Sequence, residues 1–184
     1  MSESEMSAGA LDPAPLVVGV DGGGTKTRVL LADANGNMLA RLEGEGSALR
    51  PGEETAAADT IASLIEAALV KANRVGVRPA ACVVGVAGGG QERAAQALWS
   101  ALASKRICDD VLVQADATSA LDDAFGDGPG VLIISGTGSA GFARGPNGVM
   151  ERCGGWGPVV GDEGSGGWLG RRALSVIAAA FDGR

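Results

Sequence analysis

The residues best suited to chemistry stand directly after the first apolar run, in the segment Asp21-Gly22-Gly23-Gly24-Thr25-Lys26-Thr27. Three consecutive glycines let the backbone turn tightly and leave its N–H groups uncovered, because glycine has no Cβ. Such a group of amides binds anionic oxygen, and the hydroxyls of Thr25 and Thr27 would add donors. Asp21 ends the apolar run, where a carboxylate can hold the water shell of a Mg²⁺ ion beside phosphates. A plain hairpin is the alternative, but a hairpin turn needs only two residues, so we favour phosphate binding.

A second glycine-rich segment, Gly136-Thr137-Gly138-Ser139-Ala140-Gly141, also follows an apolar run. It matches the G-x-G-x-x-G pattern of dinucleotide-binding folds, with Asp162 and Glu163 about twenty residues further on. That pattern must open a helix, whereas the residues from 142 to 148 predict a strand and a turn. We therefore interpret the segment as a second phosphate-binding hairpin. Two such hairpins facing each other across a cleft would clamp a triphosphate from both sides.

Asp116 is the candidate for the chemical step. It stands between an apolar run that ends at Ala115 and a predicted helix at 116–125. A helix N-cap is the alternative role, since a capping side chain needs only an oxygen that accepts from the first turn. The two phosphate-binding segments favour catalysis, because phosphoryl transfer needs a base that accepts the proton of the acceptor hydroxyl. With no His in the chain, a carboxylate is the natural base.

The longest glycine-rich loop runs from 154 to 167 and contains Trp156 and Asp162. Carboxylates commonly hold sugar hydroxyls, so this composition suggests a loop shaped around a polar ligand. A helix N-cap is the alternative for Asp162, and the two roles are compatible. The run Ala87-Gly88-Gly89-Gly90 is a weaker candidate for the cleft wall. The predicted substrate-binding residues are Ser139, Asp162, Gly88 and Gly155.

Periodicity predicts the elements that position these residues. In order they are strands at 16–21, 26–33 and 37–43, a helix at 53–71, a strand at 82–87, a helix at 91–105, a strand at 111–115 and a helix at 116–125. The dipeptide Asn35-Gly36 is a hairpin signal between the second and third strands. The order βββαβαβα, with right-handed crossovers, is that of an α/β ribonuclease-H-like lobe.

The pattern restarts after the breaker Gly128-Pro129-Gly130. Strands are predicted at 131–135, 140–144 and 149–153, and an apolar helix at 168–181. We interpret this as the start of a second, similar lobe. The predicted organisation is a disordered tail at 1–15, a first lobe at 16–127 and an incomplete second lobe at 128–184.

Composition excludes several other classes of protein. The chain has 184 residues with 15 Lys+Arg against 22 Asp+Glu, a net charge of −7, so it lacks the basic surface of a nucleic-acid binder. The absence of His excludes Ser-His-Asp and Cys-His catalysis, and three scattered cysteines argue against a zinc knuckle or a disulfide framework. Residues 1–15 lack the basic start of a signal peptide, and no apolar run is long enough to span a membrane. We expect a cytoplasmic protein without nucleic-acid or membrane partners, and leave a homodimer open.

Five pieces of the sequence together resemble the BadF/BadG/BcrA/BcrD ATPase family, specifically its N-acetylglucosamine kinase branch. They are VGVDGGGTKTRVLLAD, VVGVAGGG, QADATSAL, VLIISGTGSAGFAR and GGWGPVVGDEGSGGWLGRRAL, in family order over about residues 16–181. The resemblance implies an actin-like two-lobe sugar kinase that uses ATP and Mg²⁺ to phosphorylate an amino sugar, with this chain as its N-terminal portion. It implies that the loops at 22–27 and 136–139 hold phosphates, that Asp116 is the catalytic base and that Asp162 binds a sugar hydroxyl.

Two departures from the family pattern leave the substrate open. Leu49 or Arg50 stands near the place where kinases of the branch usually carry Asn, and Ala140 follows G-T-G-S where the family often has Asn.

Two other functions are alternatives to a sugar kinase. An ATPase that energises an electron-transfer partner through an iron–sulfur cluster would need bridging cysteines, and Cys153 lies near, but not within, a suitable loop. A non-catalytic sugar or nucleotide sensor is the other.

Overall fold

The computed structural model describes residues 14–184, so most of the predicted tail at 1–15 lies outside the described residues. The chain forms two compact units, one ending at Asp116 and the other beginning at Ala117. The elements of the first unit are β1 (Leu16–Gly22), β2 (Lys26–Asp33), β3 (Met38–Glu45), α1 (Glu54–Lys71), β4 (Ala81–Val86), α2 (Glu92–Lys105) and β5 (Asp110–Ala115).

The five strands of the first unit form one mixed sheet in the order β3-β2-β1-β4-β5. The first three strands pair antiparallel, and β4 and β5 continue the sheet in parallel with β1. Each parallel step is made through a helix, as the predicted order of elements requires. The α/β ribonuclease-H-like arrangement expected from the sequence is confirmed.

Alternation along the strands decides where the core lies. In β1, Leu16, Val18 and Val20 are buried while the residues between them are exposed, because successive side chains point to opposite faces of a sheet. The helical spacing in α1 and α2 supplies the other side of the core, which includes the fully buried Ile61 and Leu98. This packing leaves the loops at the carboxyl ends of the strands free to form a site.

The hairpin between β2 and β3 is stabilised by a side chain as well as by its turn. Gly36 adopts a φ of 83°, which favours glycine. The carboxylate of Asp33 accepts hydrogen bonds from the backbone N–H groups of Asn35 and Asn37, both at 2.9 Å. The connection between β2 and β3 therefore spans four residues, two more than the dipeptide that signalled it.

The second unit repeats the opening of the first. Its elements are α3 (Asp116–Phe125), which begins at the last residue of the first unit, β6 (Gly130–Ser135), β7 (Ser139–Arg144), β8 (Met150–Gly154) and α4 (Gly166–Phe181). The three strands form an antiparallel sheet in the order β6-β7-β8, as β1, β2 and β3 do. The predicted restart of the pattern is confirmed as an antiparallel group of three strands.

One arginine ties α3 to the strands of the second unit. Nε of the mostly buried Arg144 donates to the carbonyl of Gly128 at 2.9 Å. Nη1 forms an ion pair with Asp122, and Nη2 donates to the carbonyls of Gly126 and Leu121. These bonds hold the end of α3 against β7. The predicted boundary between 127 and 128 stays a prediction.

The three cysteines differ in burial, and two of them contact each other. Cys82 and Cys108 are buried free thiols and Cys153 is an exposed one. The hydrogen bond between Cys82 and Cys108, together with burial, raises the pKa of Cys82, and the same hydrogen bond lowers the pKa of Cys108.

Across residues 14–184, none of the helices combines the length and apolar character that a membrane crossing requires.

Candidate functional site

The carboxyl ends of three parallel strands meet at one edge of the first sheet. Gly22 at the end of β1 lies opposite Val86 of β4, and Val86 lies opposite Ala115 of β5. Neighbouring strands are about 4.8 Å apart, and β5 lies two strands from β1. The end of β5, which Asp116 follows, is therefore about 10 Å from the end of β1. The structure thus brings the first glycine turn, the run 87–90 and Asp116 to one edge of one sheet.

The turn between β1 and β2 exposes only the last of its three glycines, Gly24, because Gly22 is buried and Gly23 is half-buried. The N–H of Gly23 donates to the carbonyl of Lys26 at 2.9 Å, which closes the turn. The carbonyl of Gly23 accepts from the backbone of residues 47 and 48. Because the peptide is planar and trans, the N–H of Gly24 points away from that contact. Gly24 and Thr25 are exposed, so their backbone and the Thr25 hydroxyl are accessible to an anion.

Thr27 corrects one expectation. Its side chain is fully buried, and its Oγ1 donates to Oγ of Ser47 at 2.8 Å. A buried hydroxyl that points into the protein does not reach a phosphate. The phosphate contact predicted for Thr27 is therefore wrong for this conformation, and its hydroxyl fastens the turn to the loop that follows β3.

Asp21 lies on the exposed face of the sheet beside a cation. Its Oδ2 accepts a hydrogen bond from Nη1 of Arg28 at 3.1 Å, and 61% of its side chain is exposed. Hydrogen bonds to Glu43 and Asp21 raise the pKa of Arg28, and the bond from Arg28 lowers the pKa of Glu43. Among residues 14–184 there is no group of three or more acidic or Cys side chains that could hold a metal ion. Any ion here would rely on Asp21 together with phosphates and water.

The loop after β3 packs against the glycine turn through contacts that the sequence did not predict. A Cβ on Gly46 would lie 2.5 Å from the carbonyl oxygen of Gly24, and a Cβ on Gly22 would lie 2.6 Å from Oγ of Ser47. Leu49 continues the contact, because its N–H donates to the carbonyl of Ala87 at 2.8 Å. The signals in the sequence were a glycine and a serine directly after an alternating strand, and the resemblance that puts Leu49 or Arg50 near a place where the family carries Asn.

Close packing at residue 88 leaves no room for a Cβ. Its φ is 86°, and a Cβ there would lie 2.8 Å from the carbonyl oxygen of Leu49. A Cβ on the neighbouring Gly89 would lie 2.5 Å from the carbonyl oxygen of Gln114. The glycine run therefore lets the loops after β3 and β4 and the end of β5 approach one another. A substrate contact at Gly88 stays a prediction.

Asp116 is half-buried and is the first residue of α3. The register of β4 and β5 places it at the same end of the sheet as the glycine turn. Its role as a base stays a prediction.

The second glycine-rich segment connects β6 to β7 and is hydrogen-bonded to the beginning of α4. The N–H of Gly166 donates to the carbonyl of Gly136 at 2.8 Å, and that of Gly167 donates to the carbonyl of Thr137 at 3.4 Å. With these carbonyls directed at α4, the N–H groups of Thr137 and Gly138 point the other way. The segment is a hairpin between strands, so the dinucleotide-binding pattern is excluded and the predicted hairpin is confirmed, while its binding of phosphate stays a prediction.

Asp162 and Ser139 contact each other. The N–H of Ser139 donates to Oδ1 of Asp162 at 3.3 Å, and the Ser139 hydroxyl donates to the carbonyl of Glu163 at 2.7 Å. Asp162 is only 7% exposed, and its φ is 64°. The cap of α4 is Ser165, which accepts from the N–H of Trp168. The N-cap alternative for Asp162 is therefore wrong, and its carboxylate supports the glycine-rich hairpin.

The start of the loop from 154 to 167 is shaped by an arginine. Gly155 has a φ of 71°, and a Cβ there would lie 2.7 Å from Nη2 of Arg152. The guanidinium of Arg152 donates to the carbonyl of Gly155 and lies 5.7 Å from the ring centre of Trp156. That ring is 75% exposed. A sugar contact at Gly155 stays a prediction.

Comparison with known proteins bears on both units. The model of the BadF/BadG/BcrA/BcrD ATPase family matches residues 18–184. The chain is 29% identical over 168 residues to an N-acetylmuramic acid/N-acetylglucosamine kinase of Clostridium acetobutylicum. It is 32% identical over 179 residues to an N-acetyl-D-glucosamine kinase of Dictyostelium discoideum. Each alignment covers 91% of this chain and 55% of the relative, so the chain spans about half the length of the curated relatives it matches.

Solved structures agree with the observed fold. A protein of Chromobacterium violaceum, provisionally named an N-acetylglucosamine kinase, superposes with a TM-score of 0.79 at 36% identity, over 93% of this chain and 59% of that one. A ROK family glucokinase from Streptomyces griseus shares the fold with a TM-score of 0.50 at 24% identity, over 81% of this chain and 49% of its own. Since the family model also matches nearly all of the described residues, the chain belongs to the BadF/BadG/BcrA/BcrD ATPase family.

Proposed function

We propose that this chain carries catalytic and binding elements of an ATP-dependent kinase of an amino sugar, N-acetylglucosamine or a related hexosamine. The observation that carries the proposal is the register of β1, β4 and β5. It brings an amide-rich turn and a half-buried carboxylate to one edge of a sheet. Phosphoryl transfer needs these two features, because catalysis rests on holding phosphate oxygens and on accepting one proton.

We propose that both glycine-rich hairpins bind phosphate oxygens of ATP. The orientation of their peptides supports this, because carbonyls engaged on one side direct the next N–H groups to the other. Those groups belong to Gly24 in the first unit and to Thr137 and Gly138 in the second. Fixed amides of this kind stabilise the charge on a transferring phosphoryl group without reorganisation.

Asp116 is the proposed base. A carboxylate at this position would accept the proton of the sugar hydroxyl as its oxygen attacks the terminal phosphorus of ATP. ADP leaves as the new bond to oxygen forms. A base of this kind contributes about 10²- to 10⁴-fold to the rate, which sets the size of the effect expected on removing it.

Mg²⁺ fits the residues present if most of its ligands come from ATP and water. Mg²⁺ in such sites takes one or two carboxylates and keeps several waters. Asp21 supplies an exposed carboxylate beside the turn, with one oxygen on Arg28. When bound, the ion would neutralise charge on the phosphates.

The proposed sugar contacts are Asp162, Ser139, Gly88 and Gly155. The names of the relatives support an amino sugar as the substrate class. In the described conformation, however, Asp162 accepts from Ser139, so a sugar hydroxyl would have to replace that bond. Neither Leu49 nor Arg50, one of which stands near the place where kinases of the branch usually carry Asn, offers an amide side chain, so we propose the hexosamine class and test its members as a panel.

Coupled detection of ADP release with a panel of hexosamines tests the proposal. Isothermal titration with ATP and with each sugar accompanies it. We expect sugar-dependent ADP release that falls about 10²- to 10⁴-fold in Asp116→Asn, with little change in the affinity for ATP. Asp123→Asn is the matched control, because Asp123 is an exposed carboxylate on the same helix.

Three results would contradict parts of the proposal. Sugar binding without ADP release would favour the sensor. ATP hydrolysis indifferent to every sugar would favour an ATPase that serves another partner. Activity unchanged in Asp116→Asn would refute the assignment of the base.

A further inference from the structure

The loop from Gly46 to Leu49, which we call the clamp loop, is packed between two other loops of the site. On one side, the N–H groups of Ser47 and Ala48 donate to the carbonyl of Gly23 at 3.0 and 3.1 Å. On the other side, the N–H of Leu49 donates to the carbonyl of Ala87 at 2.8 Å. The clamp loop therefore fixes the glycine turn after β1 relative to the loop after β4.

Ser47 is the centre of this arrangement. The residue is 2% exposed, and its Oγ accepts from Thr27 Oγ1 at 2.8 Å. The same Oγ would lie 2.6 Å from a Cβ on Gly22. Ser47 thus touches both ends of the turn, through Gly22 and Thr27, while its backbone holds the carbonyl in the middle.

The carbonyl of Gly23 is the link to binding. A peptide plane is rigid, so a bond that fixes this carbonyl also fixes the direction of the N–H of Gly24. That N–H faces away from the clamp loop, and a Cβ on Gly24 would meet nothing within 4 Å. If the carbonyl were released, the N–H of Gly24 would sample other directions and would no longer be held ready for an anion.

We propose that Ser47 is a positioning residue, which holds the turn at 22–27 in its anion-binding conformation through the clamp loop. The inference rests on the proposed function, because it assigns the source of order at the same phosphate-binding turn. Ser47 itself contacts no phosphate. Its effect passes through the carbonyl of Gly23.

Four forms of the full chain test this inference: the unaltered protein, Ser47→Ala, Thr27→Val, and the double variant. Ser47→Ala and Thr27→Val each leave one buried hydroxyl without its partner, which destabilises the fold, whereas the double variant removes both hydroxyls and regains most of the stability. Ser100→Ala is the control, because Ser100 is exposed on α2 and bonds only within its own helix.

Two measurements then separate positioning from stability. Hydrogen exchange reports the N–H groups of Ser47 and Ala48, and we expect exchange about tenfold faster in Ser47→Ala and in the double variant. Titration with pyrophosphate, followed by the amide shifts of Gly23 and Gly24, reports binding. We expect an affinity about tenfold weaker in both variants, or about 1.4 kcal/mol.

The outcomes are distinguishable. If the double variant recovers affinity together with its unfolding midpoint, the role is only structural and the inference is overturned. Unchanged exchange in Ser47→Ala also overturns it. If the unaltered protein shows no shift at Gly23 or Gly24 with pyrophosphate, the proposed phosphate site fails, while exchange still decides whether Ser47 orders the turn.

Discussion

Replacing Gly46 by alanine is expected to separate the clamp loop from the glycine turn. The added Cβ would lie 2.5 Å from the carbonyl oxygen of Gly24 and 2.8 Å from that of Gly23, about 0.9 Å short of ordinary contact in the nearer case. Both neighbours are backbone, so neither can rotate away as a side chain would. Forcing extra volume into a packed site costs about 1–3 kcal/mol. Weaker pyrophosphate binding at Gly24 should accompany the loss.

Urea unfolding of the first unit measures this cost. Trp99 is its one tryptophan among the three of the chain, so a Trp156→Phe, Trp168→Phe background isolates its fluorescence. With a slope of about 2 kcal/mol per molar urea, a cost of about 2 kcal/mol lowers the midpoint by about 1 M. Gly19→Ala is the control, because a Cβ there meets nothing within 4 Å and alanine suits a strand better than glycine. Equal midpoints for Gly46→Ala and Gly19→Ala would refute the close approach.

Two further predictions concern contacts outside the glycine turn. Arg144→Met should destabilise the second unit by about 2–3 kcal/mol in thermal unfolding, because hydrogen bonds to a charged group are lost. Arg144→Lys should recover only part of that stability, since an ammonium lacks the guanidinium fork. Full recovery in Arg144→Lys would contradict the role given to the guanidinium. Hydrogen bonds from Asn37 hold the pKa of the Asp33 carboxyl below its usual value of 3.8. Asp33 therefore contributes stability above that value which is lost as the pH falls through its lower folded pKa. In Asn37→Ala, NMR titration should find the pKa of Asp33 raised toward 3.8, with a smaller rise in Asn35→Ala; an unchanged pKa would show that these bonds do not set it.

The order of the elements could be predicted because each carries its own local signal. Alternation marks β1, helical spacing marks α1, and turn residues separate them, so neither element needs a distant contact to be recognised. The position of Asp116 between a strand and a helix was predicted, whereas its place at the same end of the sheet as the glycine turn came from the strand register. The contacts of the loops that lack periodicity, above all those of residues 46–49 with the glycine turn, were not predicted.

The sequence by itself determined the strands, the helices and the two glycine-rich hairpins, since these depend on neighbours a few residues apart. The tertiary structure alone decided which side chains meet across the loops. Thr27 meets Ser47 twenty residues away, and Ser165 rather than Asp162 caps α4. Such contacts depend on strand register and on the paths of loops between strands, and no short window of sequence contains that information. For this reason residue types alone predict a candidate chemistry, whereas the residues that hold the loops in shape became visible only in the folded chain.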